Sequence, residues 1–410
     1  MTRARKLWVV CEVHDPEPST GFYVARIAED LARDRDVRVI TRRGTGQIGV
    51  TEAEPKLILL GPPQRKSTSP LLRIADGLRF SAAACAYLLR HIRSCDTVLA
   101  VTNPPVLPHL VGAAVRLRGA SLVVLLHDVY PELLAELGLI RRQSYVMRIF
   151  THAALRLQQR AAVNVVLGRD MRRKLEDRAD AATRGNIRVI TNWADVEGVY
   201  PDQMAGFDAR RKWGLSDEFV VLFAGNMGRT HDLELLLAAA ERLKNDDGIR
   251  FVLVGRGARF DQVANAIHKR NLSNVLLLPP CGYADLSAYL NAADVYLIPM
   301  RPRTRGLSVP SRLYNAMAAG RPIIAVADPD SELAMVVSEE GAGRVVAPGD
   351  IDALVDTVLH LRDAPPEREC MGRAARRAAE SRYTREHAKR AWRELLDGLE
   401  HREPLTGGRR

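Results

Sequence analysis

A chain of 410 residues with 47% hydrophobic and 27% charged side chains is long enough for two or three domains, each with its own core. Five scattered cysteines (Cys11, Cys85, Cys95, Cys281, Cys370) form no CxxC pair, which argues against a disulfide framework or a zinc site. The net charge of +11 is uneven: residues 1–200 hold 30 Lys+Arg against 20 Asp+Glu (+10), and residues 201–410 hold 30 against 29 (+1). The first half therefore suits an anionic partner. Aromatic residues at 5% supply base stacking poorly, so a lipid surface fits better than nucleic acid.

The N-terminus, MTRARKLWVVCEV, has a basic start but runs straight into a strand pattern. It lacks the long apolar region and cleavage site of a signal peptide, and no apolar run reaches the length of a membrane span. With unpaired cysteines, a cytoplasmic location is the default expectation. In chain order the first half reads as strands at Leu7–Val13, Val37–Thr41, Leu57–Leu60, Thr97–Val101, Leu122–Leu126, Val163–Leu167 and Ile187–Ile190. Helical patterns such as Ala25–Arg35 separate them.

Three segments of this half carry candidate chemistry. The run from His14 to Gly21 follows the first strand; its Gly21 can bring a loop close to a ligand, although the same residues describe any turn. His127 and Asp128 follow the strand Leu122–Leu126, where α/β proteins place reactive groups. His127 could act on a proton or a sugar hydroxyl with Asp128 orienting it; alternatively Asp128 caps a helix beside a satisfied histidine. Two helix-type segments are basic and amphipathic. Ser69–Arg93 sets Leu71, Leu72, Ile74, Leu78 and Phe80 among Arg73, Arg79, Arg90 and Arg93. Ile140–Arg160 sets Tyr145, Val146, Met147, Ile149 and Phe150 among Arg141, Arg142, Arg148, Arg156 and Arg160. Such helices can lie in a bilayer interface, or pack between domains with a solvated cationic face.

The polar stretch Asn192–Leu215 reads as a linker, and the strand series then restarts at Val220–Ala224, Phe251–Gly255, Val275–Leu278, Val295–Pro299, Pro322–Val326 and Arg344–Val346. Helices are expected at Leu233–Asp246, Ala258–Asn271 and Leu286–Ala293, with a helical tail over Pro366–Leu399 that folds back, and a frayed end. Continuous apolar strands between helices mean parallel sheets covered on both faces, hence two Rossmann-like domains. Glycines stand where strands meet helices: Gly225, Asn226 and Gly228 after one strand, Gly255 and Arg256 after the next. Glycine admits close backbone approach to a phosphate, and two such loops in succession favour a nucleotide. Neither loop is a Walker A loop or a GxGxxG fingerprint, which weakens a nicotinamide dehydrogenase. Val309-Pro310-Ser311-Arg312 should open a short buried helix that Gly320 stops at C′. Arg229, Arg256 and Arg312 could each neutralise a diphosphate. Asp328-Pro329-Asp330 is the nearest approach to a DxD, but reads better as a helix start.

Taken together and in order, these residues resemble the family 4 glycosyltransferases of the GT-B fold, and within them the WbuB-like branch of bacterial surface-polysaccharide assembly. Val189-Ile190-Thr191-Asn192-Trp193-Ala194-Asp195 looks like that branch's V-I-x-N-W-x-D junction. Ala224-Gly225-Asn226-Met227-Gly228 looks like its A-G-N-x-G loop. Ala292-Ala293-Asp294 leading to Pro299 looks like A-A-D-x-x-L-x-P. Val309-Pro310-Ser311-Arg312 followed by Ala318-Ala319-Gly320-Arg321-Pro322 looks like V-P-S-K…A-A-G-K-P. His127-Asp128 with Tyr130-Pro131 resembles H-D-x-x-P. The likeness spans about residues 7 to 385. The chain departs from the broader family at E-x7-E, where Leu307 and Asn315 stand, and at the Arg and Lys that hold the donor diphosphate, where Asn226 and His231 stand.

The resemblance implies an α/β chain of two Rossmann-like domains with parallel sheets facing across a cleft. Residues 1–195 would bind the acceptor and residues 196–385 the nucleotide diphosphate sugar, with a helix from 386 packing back toward the first domain. The implied activity is retaining transfer of a hexosyl or N-acetylhexosaminyl group to a polyprenyl-diphosphate-linked sugar or other glycan. Arg312 and His127 would be catalytic. Gly225, Asn226, Gly228, Arg229, His231, Gly255, Arg256, Ser311 and Asn315 would bind the donor, and Asp15, Gly21, Asn103 and Asp128 the acceptor. No metal or other cofactor is expected, and the enzyme would sit peripherally on the inner face of the cell membrane. Two other readings remain: an epimerase of nucleotide sugars with the same fold, and a degenerate subunit that binds nucleotide without turnover.

Overall fold

The computed structural model describes residues 5–13, 20–42, 55–61 and 70–401. Its residues divide into two compact units, Met1–Thr191 with Ala388–Arg410, and Asn192–His387. Among the described residues the first unit holds a seven-stranded sheet of β1 (Lys6–Val10), β2 (Asp36–Arg42), β3 (Lys56–Leu60), β4 (Thr97–Val101), β5 (Ser121–Leu126), β6 (Val163–Val166) and β7 (Ile187–Val189). The second holds a six-stranded sheet of β8 (Phe219–Ala224), β9 (Ile249–Val254), β10 (Val275–Leu278), β11 (Val295–Pro299), β12 (Ile323–Val326) and β13 (Gly343–Val346). The orders are β3-β2-β1-β4-β5-β6-β7 and β10-β9-β8-β11-β12-β13, with every ladder parallel. The expected strands are all present: Thr97–Val101, Val275–Leu278 and Val295–Pro299 have the expected bounds, and the ends of the others differ by at most three residues.

The apolar runs explain these sheets. In β8 all six residues are buried, and the pleat sends Val220, Leu222 and Ala224 into one core cluster and Phe219, Val221 and Phe223 into the other. Neighbouring strands and the covering helices supply the rest, the helices with Leu313, Tyr314 and Met317 on one side and Leu233, Leu236 and Leu237 on the other. The order of each sheet reverses once, between β1 and β4 and between β8 and β11. Open α/β sheets bind ligands outside the carboxyl ends of strands at that reversal.

Several local expectations change. The stretch read as a linker is folded: the helix Gln203–Lys212 is capped by Asp202, whose Oδ1 accepts from Ala205 N at 2.9 Å. Arg210 fastens it by donating to Asp294 Oδ2 at 2.6 Å and to the Ala292 carbonyl at 2.8 Å. Gly21 lies buried in the first turn of the helix Thr20–Ala32, so it is helical and not a loop glycine. The basic segment Ile140–Arg160 becomes helical only at Tyr145, because Ser144 accepts from Met147 N at 3.2 Å and sets the cap there. Arg141 and Arg142 precede it. The helical tail is two helices, Pro365–Arg382 and Arg385–Glu400. They part where the Tyr383 carbonyl accepts from Ala194 N at 2.7 Å and Thr384 bridges to Ala194. Asp15 with the rest of His14–Ser19, Ser69, the side chains of Leu71 and Arg73, and the last nine residues lie outside the described residues.

One side chain ties three segments of the second unit together. Arg376, on the helix Pro365–Arg382, donates from Nη1 to the carbonyls of Val199 at 2.8 Å and Ala318 at 2.7 Å, and from Nη2 to that of Val196 at 3.1 Å. Glu380 accepts from its Nε at 2.7 Å. The Ala318 carbonyl ends the short helix that Arg312 begins, so this cation also satisfies a helix C-terminus. Arg376→Ala should lower the unfolding free energy of the second unit by about 2–3 kcal/mol, the cost of leaving several acceptors without a charged donor. Urea unfolding followed by far-UV dichroism measures this; a loss below about 0.5 kcal/mol would mean that water replaces those bonds freely.

Candidate functional site

In the second unit the segments leaving β8 and β9 pack backbone against backbone. Gly225 N donates to the Val254 carbonyl at 2.9 Å, Met227 N to that of Arg256 at 2.8 Å, and Arg259 N to that of Met227 at 3.2 Å. The separation leaves no room for side chains. A Cβ on Gly255, whose φ is +147°, would stand 2.0 Å from the Gly225 carbonyl oxygen. A Cβ on Gly257 would stand 2.5 Å from Asn226 Oδ1 and 2.7 Å from the Met227 backbone. Glycine at Gly255 therefore serves first to lock one loop on the other. Gly225 differs: the space a Cβ would take is filled by the Arg312 guanidinium, 3.2 Å away.

Arg312 opens the helix Arg312–Ala318, with Ser311 as N-cap. Pro310 precedes the helix and is not in its first turn. The end is as the sequence predicts: Gly320 N donates to the Met317 carbonyl and Arg321 N to that of Ala316, a Schellman pattern. The guanidinium carbon lies 4.5 Å from the centre of the Phe223 ring, and Nη2 donates to the Asn226 carbonyl at 2.9 Å. Nη1 is buried and has no hydrogen-bond partner among the described residues. Burial lowers the basicity of this arginine, but a guanidinium starts so high that it keeps its charge.

His231 meets the same aromatic ring edge-on, at 5.7 Å between centroids and 76° between planes. It is only 6% exposed, and its Nδ1 is buried without a partner among the described residues. Its backbone is pinned by a bridge to Met300 and by Arg259 Nη1, which donates to its carbonyl at 3.1 Å. Burial, and then the neighbouring Arg312, hold its pKa well below the ordinary histidine value, so the ring is neutral. Asn226, Arg229 and Arg256 are exposed, while Gly228, Ser311 and Asn315 are half-buried. Leu307, at the first position of the family's carboxylate pair, is buried. Phe223, Tyr296 and Arg259 are site residues that sequence reasoning missed. Tyr296 donates to the Ala224 carbonyl at 2.6 Å and fixes the end of β8. An aromatic residue two places before the loop glycine, and a cation at a helix start where the dipole disfavours one, were the available signals.

In the first unit His127 follows β5 and is 8% exposed. Thr102, just beyond β4, accepts from His127 N at 3.1 Å and from Asp128 N at 3.4 Å, and so sets the path of this turn. The His127 Nε2 is buried with no partner among the described residues, and burial lowers the pKa to about 4. The Asp128 carboxylate accepts from the Tyr130 hydroxyl at 3.2 Å, and burial and that carboxylate push the phenol's pKa up. Asp128 does not cap the helix Glu132–Glu136, whose N-cap is Pro131. Asn103 is exposed beyond β4. The Asp328–Asp330 segment leads into a helix capped by Ser331, whose Oγ accepts from Ala334 N at 3.3 Å, while Asp330 pairs with Arg305. Among the described residues no group of three His, Cys, Asp or Glu side chains is placed to hold a metal ion.

Two family models match the chain in succession, Glycosyltransferase Family 4 over residues 20–197 and Glycosyl transferases group 1 over residues 207–378. A Pseudomonas aeruginosa protein named as a probable glycosyltransferase, WbjE, is 28% identical over 368 residues, covering 87% of this chain and 90% of its own length. An Escherichia coli K12 protein named for colanic acid biosynthesis, the glycosyl transferase WcaI, is 28% identical over 46% of each chain. Solved structures share the fold. A sucrose-phosphate synthase from Thermosynechococcus elongatus superposes with a TM-score of 0.78 at 20% identity, over 96% of this chain and 99% of its own. The Anabaena protein HepE in complex with UDP and glucose gives 0.74 at 17% identity, over 96% and 100%.

The buried histidine of the first unit makes a measurable pH dependence. The folded chain protonates His127 near pH 4, and an unfolded chain does so near pH 6.5. The stability tied to its neutral form is thus complete above about pH 6.5 and is lost as the pH falls toward 4. His127→Asn cannot titrate, so it should lose about 3 kcal/mol less unfolding free energy across that window than the parent chain. Urea titrations at the two ends of the window measure this, and equal acid losses in both proteins would refute it.

Proposed function

The chain belongs to the family 4 glycosyltransferases of the GT-B fold, and on that premise we propose that it moves a sugar, with retention of configuration, from a nucleotide diphosphate sugar to a lipid-linked glycan in surface-polysaccharide assembly. The observation that carries the donor half of this reading is the Arg312 guanidinium. It rests on Phe223 at the β8/β11 reversal, with Nη1 buried and unpartnered among the described residues. An anion with several acceptor oxygens would satisfy that nitrogen. Negative charge grows on the departing diphosphate as the glycosidic bond to the donor breaks. A fixed guanidinium stabilises it more in the transition state than in the ground state. Arg312 is therefore the proposed catalytic residue of the second unit, and the chemistry it supplies needs no metal.

Support for a nucleotide donor comes from the fold relative HepE, whose structures hold UDP and UDP-glucose. Support for a polysaccharide product comes from the name of WcaI, which refers to colanic acid biosynthesis. Asn315 would hydrogen-bond a ribose hydroxyl where relatives use a carboxylate, and Arg229 and Arg256 would meet the phosphates from the rim. In the first unit His127, kept neutral by burial, would hydrogen-bond a sugar hydroxyl through Nε2 without adding charge beside a cationic transition state. Asn103 and Asp128 would contact the acceptor.

The same reading places the first unit on an anionic membrane surface. No helix among the described residues is long and apolar enough to cross a membrane. At the start of the helix Tyr145–Arg160, however, Tyr145 is 79% and Ile149 65% exposed, with Val146 and Leu139 also exposed and Arg141, Arg142 and Arg148 around them. Leu72, Ile74 and Leu78 are likewise exposed on the helix Pro70–His91. Apolar side chains ringed by arginines suit the headgroup boundary of anionic lipid.

Arg312→Ala should abolish transfer while leaving the far-UV dichroism and melting temperature of the apoprotein close to the parent's; near-normal turnover would sink the proposed role. Thermal shift with UDP-, GDP- and dTDP-sugars should single out one base, because a bound donor stabilises the native state by mass action. The protein should sediment with phosphatidylglycerol vesicles at low salt and less so at high salt. Ile149→Glu should cut that fraction several-fold, and equal sedimentation of both proteins would remove the membrane reading.

A further inference from the structure

Arg312 brings one buried charge, beside the exposed Arg229 and Arg256, to a site proposed for a donor diphosphate that carries two. A second basic side chain lies beside it in an unusual state. His231 is 94% withdrawn from solvent, and its Nδ1 has no hydrogen-bond partner among the described residues. Arg312 Nη1 shares that condition, and both side chains rest on the ring of Phe223. A buried polar nitrogen without a partner costs free energy, and two against one ring are well matched to a ligand that offers acceptors to both. We propose that His231 is the second buried cation of the diphosphate site, and that it acquires its charge by taking a proton from solvent when an anionic donor binds. The inference rests on the donor-site reading above and adds a property to it.

Burial first, and then the positive charge beside it, keep the ring neutral beforehand. From the turn that opens the helix Arg312–Ala318 comes Arg312, whose field opposes a second positive charge. Ahead of the helix Phe260–Arg270 comes Arg259, which holds the His231 carbonyl at 3.1 Å. Beside Arg312, on β11, Tyr296 donates its proton to Ala224 and remains an uncharged phenol because burial pushes its pKa up. On the ring's own segment stand Arg229 and Asp232, whose Oδ1 accepts from Leu235 N at 3.1 Å. Cations therefore dominate the neighbourhood, and burial acts in the same direction. A bound diphosphate reverses this balance: two negative charges offset Arg312 and accept an N–H from the imidazolium. The proton comes from solvent, the imidazole gains one unit of charge, and no other bond changes. A lysine here, starting about four units higher, would hold its charge without a donor far more readily; histidine makes the charge conditional on the ligand.

The sign of the resulting pH effect is fixed. Proton uptake on binding makes affinity rise as pH falls through the value of the ring in the complex, and makes it level off above that value. Calorimetric titration of the whole chain with UDP-glucose and with GDP-mannose tests this. The diphosphates of these sugars are diesters that do not themselves titrate in this range. At about pH 7, in PIPES and in Tris, the apparent enthalpies should differ by an amount that reports uptake of up to about one proton per donor bound. Affinity should be about tenfold weaker at about pH 8 than at about pH 6. His231→Gln should show no uptake, match the parent near pH 8 and fall about tenfold short of it near pH 6. His231→Lys should bind without uptake and with no pH dependence across the range. Binding by the parent with no proton uptake, or uptake undiminished in either variant, overturns the inference and leaves the donor-site reading standing. No binding of either nucleotide sugar by the parent overturns both. The two-buffer measurement on the parent needs no variant to fold.

Discussion

The contact between the segments leaving β8 and β9 is the constraint from which the rest of the second unit's site follows. Because Gly255 has no Cβ, its backbone presses on the Gly225 carbonyl at a distance no other residue allows. That closeness fixes Asn226, whose carbonyl receives Arg312 Nη2, and leaves Gly225 as the open place that the guanidinium fills. Phe223, one pleat before, then becomes the surface on which the arginine lies and against which His231 stands. Backbone geometry thus precedes electrostatics: the cation is held by a ring and a carbonyl, with no carboxylate among its described partners. An ion pair there would hold the arginine more strongly, but it would spend the charge that a diphosphate needs.

The two units treat histidine alike and charge differently. In both, a histidine near the carboxyl end of a central strand is buried and kept neutral, His127 after β5 and His231 after the β8 loop. In the first unit the ring has a threonine-fixed backbone and a carboxylate–phenol pair for neighbours, Asp128 and Tyr130. In the second its neighbours are arginines. An uncharged ring suits contact with neutral hydroxyls in the first case. In the second it leaves a group that responds to whatever charge arrives.

How much was legible in the sequence depended on the range of the interaction. Strands were legible because each is a continuous apolar run such as Phe219–Ala224, and burial on both faces leaves little else such a run can do. The helix stop at Gly320 and the helix start at Asp328-Pro329-Asp330, where Ser331 is the cap, were legible because caps are local. The segment Asn192–Leu215 looked like a linker because its apolar residues are sparse; what folds it is Arg210 reaching Asp294, 84 residues on. Gly225 and Gly255 were read as phosphate-facing because composition shows that a close approach occurs and not what approaches. Phe223 looked like one more core residue, since nothing in a strand pattern says that an arginine 89 positions later will lie on its face. The family likeness named Asn226, His231 and Asn315 as departures. Only the packing around them gave His231 a physical character of its own.

The path of the chain between the two units has a consequence for how such proteins can be rearranged. The backbone enters the second unit after Thr191 and returns to the first at Ala388. The returning helix is fastened there, with Arg35 paired to Asp397 and Glu400, and Arg393 to Asp34 at 3.0 Å. The second unit is thus an insertion in the covalent order of the first. Replacing it with that of a relative takes two junctions, and a single crossover leaves Arg35 facing carboxylates of foreign origin. Combination of one unit's specificity with another's, whether by recombination or by design, is therefore governed by the match of one C-terminal helix to the turn before β2, some 360 residues earlier in the chain.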